Sequence, residues 1–208
     1  MSCESLLRAG IEQLQLTLSE EQILALLTYH QLLQDWNKAY NLTAIRDPEQ
    51  MVIRHLVDSL SVVSHIRESD VVDLGTGAGL PGIVLAIVYP DKNYLLLDSN
   101  GKKTRFINQV RIELELANVK VAKSRAETYH PQQAYPAVTS RAFATLADSV
   151  SLLNELLAVG GKFYAMKGKL PDQEVEQLPT TYNLEKIQPI TVPFLDEERH
   201  LVIIKRLA

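Results

Sequence analysis

The segment Val71-Val72-Asp73-Leu74-Gly75-Thr76-Gly77-Ala78-Gly79-Leu80-Pro81-Gly82 constrains the fold more than any other part of this chain. Its apolar start reads as a short buried strand, the glycines at 75, 77 and 79 as a tight turn, and the residues from Pro81 onward as a helix. Glycine lets the backbone turn sharply there and approach a ligand that any Cβ would hold away. A strand, a glycine turn and a helix in that order form a cradle for a nucleotide-like cofactor at the carboxyl end of a parallel sheet.

Read loosely, Gly77 to Gly82 satisfies the dinucleotide fingerprint, which keeps an NAD or FAD site open. Two residues weigh against it. Pro81, in the first turn of the expected helix, has no backbone N–H to offer a pyrophosphate, although proline also suits a first helical position for structural reasons alone. Asp73 puts a carboxylate just before the turn, a poor neighbour for phosphate and a good one for the sulfonium and ammonium of S-adenosylmethionine. No Gly-Lys-Ser/Thr follows the glycines, which excludes a P-loop. Asp98 ends a second apolar run, 93–97, and stands 19 residues after Gly79. A carboxylate there can accept from both ribose hydroxyls of an adenosine in either cofactor. Capping a helix that starts near Gly101 is its structural alternative.

Alternation of strands and helices from Ser69 onward predicts a parallel α/β sheet covered on both faces. Strands are expected at 70–74, 93–97, 119–123, 136–140 and 161–166, and helices at 81–89, 102–116 and 145–158. Gly160-Gly161 reads as a helix stop before the fifth strand. Leu184–Val192 and Leu201–Arg206 read as a closing hairpin that completes a seven-stranded, mostly parallel sheet. Residues 1–66 read as helical, with a capping box at Ser19 and Gln22 and a second helix start at Asp47-Pro48-Glu49. Ile23, Leu26, Leu27, Leu33, Trp36 and Tyr40 recur at helical spacing. No Gly-, Ser- or Pro-rich linker follows, so these helices are expected to pack on the sheet.

The segment Asp-Leu-Gly-Thr-Gly-Ala-Gly-Leu-Pro-Gly (73–82) resembles motif I of class I S-adenosylmethionine-dependent methyltransferases. Six further segments narrow the likeness: Trp36 to Thr43, Arg54 to Ser59, Leu97-Asp98-Ser99, Ser140-Arg141-Ala142, Met166-Lys167-Gly168 and Glu198-Arg199-His200. Together, in order and over essentially the whole chain, they are similar to the ribosomal small-subunit methyltransferase G family, also called glucose-inhibited division protein B. The resemblance implies a Rossmann-like methyltransferase domain over 67–208 with an N-terminal helical extension over 1–66. It also implies S-adenosylmethionine as cofactor and N7-methylation of one guanine in the decoding-region loop of 16S rRNA. The substrate is expected within the small ribosomal subunit or its precursor.

Gly75, Gly77 and Gly79 would admit the methionine part of the cofactor, with Leu80 at the start of the helix. In the family the loop after the third strand covers the adenine, which carries binding onto Ala126 and Glu127; a surface glutamate is the plain alternative for Glu127. The family likewise places Arg141 in cofactor binding. On its own chemistry Arg141 could fork onto a carboxylate or phosphate, stack on a base, or pair with Asp73 or Asp148. Asn41, Arg125 and Lys167 are the positioning candidates for RNA or base, with a helix C-cap as the alternative for Asn41. Trp36 and Tyr40 could stack on a base but at helical spacing read as core, and His55 and Asp58, at i and i+3, read as an internal hydrogen-bond pair. No catalytic acid or base is expected, because guanine N7 holds an in-plane lone pair and no proton. The absence of Asn/Asp-Pro-Pro-Tyr/Phe at Thr139-Ser140-Arg141-Ala142 disfavours methylation of an exocyclic amine.

Net charge is −4, which at first sight disfavours an RNA partner. The charge is uneven, however. Residues 102–125 hold seven basic side chains against Glu113 and Glu115, a local excess of +5 that can meet phosphates or simply be a solvated face. No apolar run of roughly 18 residues predicts a membrane span, and the N-terminus does not read as a secretory signal. The lone Cys3 suits a reducing cytoplasm, no Cys/His cluster suggests a metal, and a monomer is expected. Three rival functions remain open on sequence. They are a small-molecule methyltransferase with an enclosed apolar pocket, a nicotinamide-dependent oxidoreductase, and a non-catalytic rRNA-binding assembly factor that uses the same cofactor pocket.

Overall fold

Capping chemistry sets the helical start of the chain much as its residues suggest. After α1 (Cys3–Gln13), Ser19 Oγ accepts from Gln22 N and Gln22 Oε1 accepts from Ser19 N, which opens α2 (Glu20–Tyr40). Asp47 Oδ1 accepts from Gln50 N at 2.8 Å, with Pro48 at the first position of α3 (Pro48–Met51). The helix then widens into a π-helical segment, Val52–Val57, before α4 (Asp58–Leu60). The computed structural model describes residues 1–141, 145–169, 172–175 and 177–208. Ala142, which the sequence reading singled out beside Arg141, lies outside them.

From Asp70 the chain alternates as expected. The elements are β1 (Asp70–Leu74), α5 (Gly82–Val88), β2 (Asn93–Asp98), α6 (Gly101–Glu113), β3 (Val119–Lys123) and β4 (Tyr135–Arg141). They continue with α7 (Leu146–Ser151), β5 (Leu157–Lys167), α8 (Asp172–Val175), β6 (Tyr182–Pro189) and β7 (His200–Arg206). One seven-stranded sheet runs in the order β3-β2-β1-β4-β5-β7-β6, with β7 antiparallel to both neighbours and the other pairs parallel. The winding reverses between β1 and β4, which opens a crevice at the carboxyl ends of the central strands.

Side chains alternate across the sheet and divide the core in two. Val71, Tyr94 and Leu96 point to the face covered by α1, α2, the π-helical segment, α5 and α6. Val72, Leu95 and Leu97 point to the other face, filled by Leu146 and Val150 of α7 with Leu153 and Leu156. The N-terminal helices share the first of these cores, and Gln22 Nε2 donates to the carbonyls of Ile87 and Val88 at the end of α5.

Two expectations fail in the same stretch. The helix expected over 145–158 ends at Ser151, and Gly160-Gly161 does not stop a helix but lies inside β5. Leu153 and Leu156 are spaced like a helix face, yet they lie in a turn that fills the second core, and Leu157 already opens β5. Arg206 of β7 draws the carbonyls of Asn154 and Leu157 toward the sheet, a tertiary pull that local propensity does not register. Gly160 adopts φ +81°, and pairing with β4 shifts register between Tyr135 and Ala137, so the glycine pair forms a bulge. The hairpin strands also begin earlier than expected, at Tyr182 and His200, and the first of them stops at Pro189.

Candidate functional site

Asp73 organises the glycine turn from beneath. It is fully buried, and its Oδ2 accepts from Thr76 Oγ1 at 2.6 Å and from the amide of Gly82 at 2.8 Å. Its Oδ1 has no hydrogen-bond partner among the described residues. Burial pushes the carboxyl up to about 6, against the pull of the two donors. A Cβ on Gly82 would sit 2.7 Å from Asp73 Oδ2 and 2.9 Å from Leu96 Cγ, so glycine is what lets that amide reach the carboxylate. The expectation that Asp73 faces the cofactor as a neighbour for its positive charge is therefore corrected: it caps α5 from inside the core. Pro81 occupies the N-cap position rather than the first turn and donates nothing.

In front of the turn stands Asp98, nearly buried at the end of β2. Its Oδ2 accepts from Gly77 N at 2.9 Å, its Oδ1 accepts from Asn100 N at 2.8 Å, and Lys103 Nζ lies 3.9 Å away. A carboxylate has about four lone-pair sites, so two amide bonds leave acceptor capacity toward solvent. A cleft of about 380 Å³ opens beside it, and Gly75, Asp98, Arg125, Ala126 and Glu127 all line it. Five residues picked from sequence are thus brought together. The turn itself runs through positive φ, +67° at Gly75 and +62° at Gly77. A Cβ on Gly77 would meet nothing closer than 3.9 Å, so the space above it stays open to a ligand. Gly79 differs, since its Cβ would lie 2.6 Å from Ile83 Cγ1, which makes it a packing glycine. Leu80 is buried and lines a neighbouring cleft of about 220 Å³, shared with Thr43, Gly77, His55 and Arg141.

Arg141 does not pair with Asp73 or Asp148. Its NH1 donates to Asp58 Oδ2 at 3.1 Å and to the Arg54 carbonyl at 3.0 Å. Asp148 instead sits at the start of α7, where it accepts from Thr145 Oγ1. Nor do His55 and Asp58 bond each other. His55 Nε2 meets Thr43 Oγ1 at 2.9 Å, and Asp58, buried at 3% exposure, also accepts from Arg199 Nε at 3.0 Å. Burial and the nearby Arg141 guanidinium push the His55 imidazole down to about 4, so it is neutral near pH 7. Lys167 reaches Glu174 at 3.0 Å and lines a third cavity with Arg141.

Asn41 is not brought to these cavities. It closes α2 in the left-handed region (φ 50°, ψ 56°) and accepts from Arg46 NH2 at 2.8 Å, which is the helix C-cap alternative. Trp36 is half-buried against Phe106, while Tyr40 is exposed and so is not core. The basic stretch also divides. Lys102, Lys123 and Arg125 are exposed near the cleft, whereas Lys120 lies at the opposite end of the sheet beside Asp70 and Asn93. Neither spacing nor residue type in the sequence marks a role for Tyr29, Asn37 or Arg199. Asn37 Oδ1 accepts from Thr43 N and its Nδ2 donates to the Ile45 carbonyl, which fixes the loop bordering the cavities. Its place in the Trp36–Thr43 motif was the only available signal.

Comparison with known proteins gives a consistent picture. The family described as GidB, rRNA small subunit methyltransferase G, matches residues 22–202. Proteins named ribosomal RNA small subunit methyltransferase G from Marinobacter nauticus, Enterobacter sp. (strain 638) and Photobacterium profundum are 50%, 48% and 47% identical to this chain. These alignments cover 96%, 94% and 93% of this chain and 94% of each relative. Among solved structures, a SAM dependent methyltransferase from Aquifex aeolicus superposes with a TM-score of 0.56 at 15% identity, over 76% of this chain and 93% of that one. A methyltransferase structure from Thermoplasma acidophilum gives 0.55 at 12% identity, over 68% and 69%. At such identities the likeness is one of fold. Matched from residue 22 to residue 202 and about half identical to relatives along almost its entire length, this chain belongs to the rRNA small subunit methyltransferase G (GidB) family.

Proposed function

We propose that this chain transfers the methyl group of S-adenosylmethionine to N7 of one guanine in the decoding-region loop of 16S rRNA. The cofactor follows from one arrangement, a buried carboxylate behind the glycine turn and a second in front of it. Asp73 holds the Gly82 amide that a pyrophosphate would need, and Pro81 offers none, so the turn lacks the donors of a dinucleotide site. Asp98 keeps acceptor capacity where an adenosine ribose would lie. Ala126 and Glu127 would cover the adenine, while the backbone at Gly75 and Gly77 would admit the methionine part.

When bound, the cofactor supplies an electrophilic methyl group on a positively charged sulfur. Guanine N7 presents a lone pair without a proton, so no side chain has to act as a general base. What the protein must supply is alignment, with donor and acceptor at roughly 3 to 3.5 Å. Neutral His55 on the adjoining wall adds no positive charge beside a base that becomes cationic. In A-form RNA the N7 edge is hidden in a deep, narrow groove, so the target is an unpaired or splayed guanine. Lys102, Lys123 and Arg125 are exposed and make no ion pair among the described residues, which leaves them for phosphates.

The rRNA substrate is supported by the names of the relatives, and N7 by the resemblance of the motifs. Incubation with labelled S-adenosylmethionine and small subunits that lack the modification tests both. Label in a single 7-methylguanine of 16S rRNA is expected. Label on another atom, or bound cofactor with no label in RNA, would contradict the proposal.

A further inference from the structure

Beyond the wall formed by His55 and Arg141 lies the third cavity, of about 410 Å³, which the glycine turn does not line. That volume falls within the roughly 300–1,000 Å³ of small-ligand sites and suits one nucleotide rather than a helical segment. Its walls combine two chemistries. Ile45 and Met166 supply apolar surface, while Arg54, Arg141, Lys167 and Arg199 supply cations. Among the described residues three carboxylates meet these four cations: Asp58 bridges Arg141 and Arg199, Glu197 bridges Arg54 and Arg199, and Glu174 meets Lys167.

The shared carboxylate is what sets the geometry. Asp58 holds the two guanidiniums with one oxygen each, at 3.1 and 3.0 Å, although Arg141 ends β4 and Arg199 precedes β7. Arg199 also donates from NH1 to the Glu198 carbonyl and from NH2 to Glu197, and Arg141 from NH1 to the Arg54 carbonyl, so the pair is held rigid and its remaining N–H groups keep a set plane, suited to a phosphate or a base edge. The cavity also shares His55 and Arg141 with the cleft above the glycine turn, so an occupant of one abuts an occupant of the other.

We propose that this cavity receives the acceptor nucleotide, with the base against Ile45 and Met166 and its phosphate at the Arg141–Arg199 pair, and that Asp58 is a positioning residue for that pair. The inference rests on the rRNA-methylation reading above and specifies where its substrate sits. The methionine end of the cofactor is the competing occupant.

Two variants test it, each assayed for methyl transfer to intact small subunits and for adenosylhomocysteine affinity by calorimetry. Ile45→Trp fills the cavity from a surface loop and should lower kcat/KM by about a hundredfold, with adenosylhomocysteine affinity within about threefold. Asp58→Asn should raise KM for subunits by about tenfold while kcat falls less, and Asp58→Glu should restore part of the loss. Normal methylation by Ile45→Trp would overturn the proposal, as would weakened adenosylhomocysteine binding with unchanged KM in either variant. Should Asp58→Asn fail to fold, Ile45→Trp decides alone. Failure of the functional reading looks different: wild-type protein would bind adenosylhomocysteine yet label no rRNA. In that case magnetisation transfer from the wild-type protein to guanosine 5′-monophosphate, lost in Ile45→Trp, still supports the pocket, and transfer retained in Ile45→Trp overturns it.

Discussion

Tyr29 donates a 2.8 Å hydrogen bond from its hydroxyl to the carbonyl of Ala78, so helix α2 holds the glycine turn from behind. Tyr29 is fully buried, and its ring stacks on Phe106 of α6 with centroids 6.3 Å apart. The turn that shapes the cofactor cleft is therefore braced by a residue 49 positions earlier in the chain.

Tyr29→Phe keeps the ring and strands the Ala78 carbonyl. A buried acceptor left without its donor costs about 1–3 kcal/mol. Urea unfolding should show a loss of that size, and calorimetry a weaker affinity for adenosylhomocysteine. No change in either would mean the turn stands without α2.

Gly77 and Gly79 should separate when each is replaced by alanine. Both adopt positive φ, which costs about 1–2 kcal/mol for an L-residue. Gly79→Ala adds a 2.6 Å clash with Ile83, whereas Gly77→Ala makes only ordinary contacts at 3.9 Å. Gly79→Ala should therefore lose more stability, and Gly77→Ala more cofactor affinity than its stability loss explains. Equal effects on both quantities would contradict the division of roles.

Two buried groups give opposing pH dependences. Asp73 has its pKa raised from 3.8 to about 6, so the stability it contributes is full below the lower value and lost as pH rises through the upper. His55 has its pKa lowered from 6.5 to about 4, so its contribution is full above the upper value and lost as pH falls through the lower. Each shift corresponds to on the order of 3 kcal/mol. Between pH 4 and 6 the slopes oppose in the wild type. Asp73→Asn should make stability rise with pH across that window, and His55→Gln should make it fall, as read from urea midpoints. Parallel pH profiles for wild type and both variants would refute these assignments.

Binding to small subunits should weaken steeply with added salt, because each phosphate contact released on a single strand contributes about −0.7 to the logarithmic slope. Replacing Lys102, Lys123 and Arg125 together by glutamine should flatten that slope by about 2. A slope that does not move would show that these exposed cations are only a solvated face.

The parts of the fold that sequence exposed are those governed by local rules. The capping box at Ser19 and Gln22 and the Asp47-Pro48 helix start depend on residues within a few positions of one another, and the turn after β1 is marked by its own glycines although Tyr29 and Asp98 brace it from afar. Asp98 was legible because strand ends in a doubly wound sheet converge on one crevice, whereas Ala126 and Glu127 were reached only through the resemblance to the family. What escaped was pairing across distance. Asp58 meets Arg141 over 83 positions and Arg199 over 141, and no periodicity signals a bond of that kind. Asp73 was noticed for its charge and misread for its direction, since a residue's place on a strand does not say whether its carboxylate faces ligand or core. The leucines after Ser151 misled for the opposite reason: their helical spacing serves a turn that β7 pulls into place.

Isothermal titration of the protein with adenosylhomocysteine and, separately, with NADH tests most directly whether the cleft beside β1 serves a methyl donor. Adenosylhomocysteine should bind with Kd at or below about 100 μM, Asp98→Asn should weaken it by about tenfold, and NADH should give no heat above dilution. Tight NADH binding with no response to adenosylhomocysteine would contradict the account.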